Sequence, residues 1–490
     1  MLLNPKLYEI NTRIWLKRFG KEAKLSDVPD EYFQGLAEKG INIIWLMGIW
    51  KTPESVIEKC CFSADLITAY NKSLSDWKKE DVIGSPYSVD SYEINSKLGT
   101  LNDLINLRKK LNNIGIKLML DFVANHFSSD SELLKTRPEL FLQAGQEALA
   151  NDPMTFFRAG NKNKFIFAHG RDPFFPAWSD TVQLNYFNPE TRKFLTSTLL
   201  SIAELCDGVR SDMAMLPLNN TFQNTWLGVL NKQNIEKPKT EFWSEAIETI
   251  KNKYPDFIFL AEAYWDLEWN LQKLGFDFTY DKRLADRLEA HYIAGVKDHL
   301  GADILFQLKS ARFLENHDEQ RAAVKFGERN SLAAAVLIST IPGMKFYFDG
   351  QFEGKKIKLP LQLGREPIEK PSAKIEKFYN KLLRITSNKI FTVGEFQKLD
   401  PFSAGESNNS YENMFAWEWK MENEKWIIVI NYSDSTSQCR LRFETPRGKN
   451  NITLIDHLSD DKYTRQVDEI QRLGLFIELK NYHSHIFSVE

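Results

Sequence analysis

Over roughly the first 380 residues, short apolar runs alternate with stretches whose apolar residues recur every three or four positions. The runs at 41–47, 116–120 and 257–260 are nearly continuous in Ile, Leu, Phe, Met and Trp, as expected of strands buried on both faces. Before the second of them, Leu101, Leu104, Leu107, Leu111 and Ile114 keep helical spacing, and Gly115 stops the helix. Helix, loop and strand repeated in this way predict a parallel α/β architecture. The segment from about 127 to 180 breaks the alternation. It is rich in Phe, Pro, Asn and Asp, and reads as an irregular insertion emerging from the strand that ends at Asp121. After about residue 385 the texture changes again. Phe415-Ala416-Trp417-Glu418-Trp419 and Trp426-Ile427-Ile428-Val429-Ile430 flank a polar turn, which predicts a β-hairpin inside a small antiparallel β domain. No internal repeat or low-complexity tract interrupts the chain.

Bulk properties narrow the picture. A chain of 490 residues exceeds one ordinary core, so two or three domains are expected. A hydrophobic share of 43%, a charged share of 26% and a net charge of -3 describe a globular protein without the basic face that nucleic acid requires. No run approaches the roughly 20 apolar residues of a membrane span, and the first residues lack a secretory pattern. Cys60, Cys61, Cys206 and Cys439 form neither a disulfide framework nor a metal-ligand spacing, so a cytoplasmic setting is expected, with Cys206 as a small core residue. Aromatics reach 13%, most of them core, with a share available to stack on the apolar faces of sugar rings.

Four apolar strands run out into ionisable residues: Leu120-Asp121 through Asn125-His126, Val209-Arg210-Ser211-Asp212, Leu260-Ala261-Glu262, and Phe313-Leu314 into Asn316-His317-Asp318. In a parallel barrel all strand C-termini open on one face, which would gather these groups in one cleft. A lone Asp or His at a strand end is ordinarily a turn or capping residue. Arg210 and Asp212, however, lie two apart and point to the same side, and an inward Arg–Asp pair is costly unless it serves a network or chemistry. Arg210 would favour ionised Asp212, whereas partial desolvation of Glu262 would favour its protonated form. Two carboxylates of unequal ionisation are what glycosidic cleavage needs.

These blocks resemble the signature regions of the α-amylase superfamily of retaining glycoside hydrolases, over roughly the first three quarters of the chain. The resemblance implies a (β/α)8 TIM barrel (1–126 and 181–385), a small B-domain insertion (127–180) and a C-terminal antiparallel β-sandwich (386–490). It implies Asp212 as nucleophile, Glu262 as general acid/base and Asp318 as transition-state stabiliser. Asp121, His126, Arg210 and His317 would bind or position substrate. Gly84-Ser85-Pro86-Tyr87 is similar to the segment carrying a stacking tyrosine, which makes Tyr87 the ring beneath the reacting sugar. The implied activity is a retaining α-glycosidase on α-1,4-linked glucan or maltooligosaccharides, with a glucanotransferase, isomerase or phosphorylase as the alternative on the same fold.

The departures bear on detail. Many amylases carry Lys-His shortly after the nucleophile, where this chain has Met215-Leu216. An aspartate that often binds structural calcium is replaced by Gln183, although Asn125 remains; no obligatory calcium or other cofactor is expected. Exo-acting α-glucosidases tend to have aspartate at the position of Gly84, which leans towards a chain-cutting or transferring enzyme. Tyr264, Trp265 and Trp269 suit either an aromatic-lined cleft or packing under a loop. Two rivals remain open: a metal-dependent barrel hydrolase using His126, Glu262, His317 and Asp318, although neither His-x-His nor His-Glu-x-x-His spacing occurs, and a scaffold member without activity. Oligomeric state is not legible.

Overall fold

The computed structural model describes residues 2–159, 165–446 and 448–490. Eight parallel strands close into a barrel: β1 (Lys6–Asn11), β2 (Ile43–Met47), β3 (Lys117–Val123), β4 (Gly208–Asp212), β5 (Ile258–Ala261), β6 (Phe278–Tyr280), β7 (Ser310–Arg312) and β8 (Met344–Phe348), with β8 paired back to β1. The continuous apolar character of these strands has a simple cause. In β2, Ile43, Trp45 and Met47 fill the barrel interior while Ile44 and Leu46 join the outer core under the helices. Both faces are dry, so the strand carries no polar alternation. Gly208 is needed at the start of β4 because a Cβ there would lie 2.7 Å from the carbonyl oxygen of Ile258 on β5.

The helix Leu101–Asn113 buries Leu104, Leu107 and Leu111, and Thr100 caps it by accepting from the backbone N–H of Asp103. Gly115, at φ +78°, then turns the chain into β3. That strand runs two residues past Asp121, to Val123. The segment expected to be irregular holds a three-stranded antiparallel sheet, with Ile166–Ala168 between Gln143–Ala144 and Phe156–Arg158. The strand pair His126–Ser128 and Thr181–Gln183 closes its base. Two helices, Ser55–Cys60 and Ala64–Ser73, also stand after β2, over a small core of Cys61, Tyr70, Leu74, Val82 and Leu363.

The tail forms a six-stranded antiparallel sheet and a two-stranded ribbon, Ser437–Leu441 with Leu475–Leu479. The expected hairpin is Met414–Met421 paired with Glu424–Asn431, with Phe415 opposite Ile430. Alternation assigns its faces. Met414 and Ala416 meet the ribbon, whereas Phe415, Trp417 and Trp419 join the core shared with the barrel. The Trp419 indole donates to the backbone oxygen of Thr340, across that junction, at 2.7 Å. Cys206 is fully buried, and all four cysteines are free thiols. No helix among the described residues is long and apolar enough to cross a membrane.

Candidate active site

Strand register builds the centre of the cleft. Arg210 pairs with Asp121 on β3 and with Leu260 on β5, so Asp212 and Glu262 emerge one step further along, at the C-terminal rim. The Arg210 guanidinium is fully buried and binds both carboxylates: Nη1 reaches Asp212 Oδ1 at 2.7 Å, and Nη2 approaches Glu262 Oε2 at 2.7 Å. Asp121 Oδ1 lies 3.8 Å from the same guanidinium. The rings of Trp45, Tyr87 and Tyr280 stand 5.1, 5.3 and 5.8 Å from it. These rings exclude water and leave the carboxylates as the cation's counter-charges.

Glu262 is further held by the backbone N–H of Met213, which donates to Oε2 at 2.7 Å, and by the Tyr264 hydroxyl, which donates to Oε1 at 2.8 Å. Met213 adopts φ +43°, a left-handed conformation rare for its type, immediately after Asp212. Burial raises Glu262 to about 7, against the pull of Arg210, with the negative charge of Asp212 adding to the rise. Burial raises Asp212 as well; Arg210 opposes that rise through charge and hydrogen bond without cancelling it. The two acids therefore titrate as a pair above the ordinary carboxylate range.

A second group joins them. His317 Nδ1 lies 2.5 Å from Glu9 Oε1, and Nε2 lies 2.9 Å from both Asp318 Oδ2 and the Tyr87 hydroxyl. Burial would lower the imidazole, but Asp318 and Glu9 on either side lift it well above its usual range. Burial would raise Asp318, yet the charge and hydrogen bond of His317 carry it down to about 2. The Asp318 side chain is 44% exposed and so opens to the cleft. Asp121 accepts from the backbone N–H of Gly48 through Oδ2, while its buried Oδ1 has no hydrogen-bond partner. Burial lifts Asp121 to about 7.

Seven of the eight residues singled out from sequence thus meet in one connected cluster. His126 stands at its edge. Its ring is 5.3 Å from Trp178, burial lowers it to about 4, and its Nδ1 is buried without a partner beside the Tyr87 segment. Among the described residues no three His, Cys, Asp or Glu are grouped to hold a metal ion. At the position where the resemblance implied a calcium-binding aspartate, Gln183 Nε2 donates to Asn125 O, Asn125 Oδ1 and Leu184 O at 3.0, 2.9 and 3.1 Å. An amide N–H occupies the oxygens a cation would need, so these residues do not fit calcium. Met215 and Leu216 are both buried and apolar.

Three members of the cluster escaped the sequence reading. Glu9 sits within the apolar strand Leu7-Tyr8-Glu9-Ile10, and its burial among those residues was the available signal. Tyr280, whose hydroxyl accepts from Arg210 Nε at 3.3 Å, and Trp45 are indistinguishable from core residues by pattern.

Fold and site define a class: a (β/α)8 barrel whose C-terminal mouth carries three carboxylates around one buried arginine. Residues 31–380 match the family described as alpha amylase, catalytic domain. The chain belongs to the alpha-amylase family. It is 25% identical over 304 residues to Alpha-amylase 3 of Dictyoglomus thermophilum, a match covering 57% of this chain and 56% of that protein. It is likewise 25% identical over 277 residues to Alpha-amylase MalA of Haloarcula japonica, covering 54% and 36%. The match therefore spans about half, or less, of the length of these relatives. Among solved structures, the maltogenic alpha-amylase AmyB from Thermotoga neapolitana shares the fold, with TM-score 0.70, 20% identity, and coverage of 99% of this chain and 98% of that one. An alpha-amylase from Geobacillus thermoleovorans complexed with acarbose does so at TM-score 0.68 and 18% identity, covering 99% and 98%.

Proposed function

We propose that the protein is a retaining α-glycosidase acting on α-1,4-linked glucan or maltooligosaccharides. The observation that carries this reading is the single buried guanidinium of Arg210, which touches both Asp212 and Glu262. Arg210 pairs with both carboxylates and adds a hydrogen bond to Asp212, and in this mechanism the single proton of the pair sits on Glu262, which burial raises to about 7. Asp212 attacks the anomeric carbon while Glu262 protonates the departing oxygen. Glu262 then takes a proton from the incoming water, and the configuration is retained. Asp318, held anionic by His317, faces the positive charge that develops on the sugar ring. Tyr87 lies under that ring, and Asp121 and His126 stand beside it to bind the sugar's hydroxyls.

In this reading residues 1–126 and 181–385 form the catalytic domain, 127–180 a B domain and 386–490 a C domain. Four free thiols suit a reducing, cytoplasmic setting. A second reading, transfer to a sugar acceptor, is favoured by the leaving-group side. Trp265, three residues after Glu262, and the exposed Phe174 meet edge to face at 5.0 Å and form an apolar aromatic pair. Such a surface receives a sugar ring better than it orders water.

The test is incubation with maltooligosaccharides. Short products in the α-configuration are expected, and D212N should lower kcat/KM by at least about 10⁴-fold. First-formed β-products, or full activity in D212N, would reject the assignment.

A further inference from the structure

The chain after β8 crosses the barrel mouth and is fastened to the chain after β2. Arg13, buried just past β1, donates from one terminal nitrogen to Gly84 O at 2.8 Å and to Leu361 O at 2.7 Å. The backbone N–H of Ile83 donates to Gln362 O at 2.8 Å, and that of Gly364 to Asp81 O at 2.7 Å. Arg365 adds paired hydrogen bonds to both oxygens of Asp81 at 3.0 Å. The result is a fixed wall, with Leu363 packed into the small core of the two extra helices. Two of its side chains lean into the site. Leu361 joins Tyr87 against the side chains that fill the barrel interior, and Lys358 Nζ donates to the backbone oxygen of Asp318.

The position of this wall around the barrel decides its meaning. Both segments flank β1, and β1 lies diametrically across the ring from β5, which delivers Glu262. The acid must stand beside the departing oxygen at C1 of the reacting sugar. In a pyranose C4 is the corner opposite C1, so the 4-hydroxyl of a sugar over Tyr87 points away from Glu262 and towards the wall. His317, Phe348, Asp349, Lys358 and Leu361 line a cavity of about 40 Å³, so the wall is packed down onto the ends of β7 and β8 with room for only a water or two beneath it.

We propose that segment 358–366 closes the non-reducing end of the cleft immediately beyond the sugar on Tyr87, so that the enzyme removes single glucosyl residues from chain ends. This inference rests on the glycosidase reading above. It also runs against the lean towards chain-cutting that Gly84 suggested: at that position the backbone oxygen of Gly84, bound by Arg13, helps to fasten the wall.

The test compares 4-nitrophenyl maltoheptaoside with the same compound blocked at its terminal 4- and 6-hydroxyls by an ethylidene group. Glucose as first product from the free compound, with turnover of the blocked one at least 100-fold slower, is expected. Comparable cleavage of both, or a first product longer than glucose, would overturn the proposal while leaving the glycosidase reading intact. Cleavage of neither would remove that reading and the proposal with it. A double variant, K358A with L361G, should raise turnover of the blocked substrate relative to the free one by tenfold or more; an unchanged ratio would count against the wall.

Discussion

Arg210 illustrates how one side chain sets the behaviour of two others. Fully buried and ringed by Trp45, Tyr87 and Tyr280, it balances Asp212 and Glu262 from a position out of contact with solvent. Because burial still outweighs it, both acids titrate high, and Glu262 near 7 sets an alkaline limit. The active form carries a proton on Glu262, so kcat/KM should fall as pH rises through about 7. The Tyr264 hydroxyl donates to Glu262 and thereby favours the ionised form. Y264F should therefore move the alkaline limb of a kcat/KM profile upwards. A downward movement would mean that the limb belongs to another group. Glu9 acts one residue further out, through His317. E9Q removes one of the two anions that keep the imidazole charged, and should lower kcat far more than it alters KM.

At the scale of elements, the strands are the most legible part of the chain because parallel barrel strands are dry on both faces and read as unbroken apolar runs. The charges that end those runs are legible for the same reason: Asp212 and Glu262 interrupt a pattern that has no other use for them. Partners brought in by the fold leave no such mark. Tyr280 resembles a core tyrosine until the barrel closes around Arg210, and Lys358 resembles any loop lysine. The helix Ala64–Ser73 buries only Tyr70 and Ser73, too thin a face to stand out by periodicity. The insertion read as irregular because its strands are only two or three residues long. One helix end gives a clean test. Gly115 sits at φ +78° with open space around its Cβ position, so G115A meets conformational strain without a clash. A loss of about 1 kcal/mol in urea unfolding is expected.

Across the whole molecule, the barrel and the C-terminal sheet share one apolar core, and the bond from Trp419 to Thr340 crosses between them. W419A should cost about 3–5 kcal/mol and lower Tm of the whole chain in a single transition. Independent melting of the tail would contradict a shared core. The amide network of Gln183 and Asn125 ties the insertion to β3 by hydrogen bonds alone, so chelation with EDTA should leave Tm unchanged. A clear drop would reveal a cation dependence that these residues do not account for.

The double-displacement mechanism turns on Asp212 forming a bond to the sugar. Incubation with 5-fluoro-α-glucosyl fluoride, followed by mass spectrometry of the digested protein, reads that bond directly. A fluoroglucosyl adduct on the peptide containing Asp212, absent in D212N, is the predicted result. An adduct on another carboxylate, or turnover of the reagent with no adduct and inverted configuration, would contradict it.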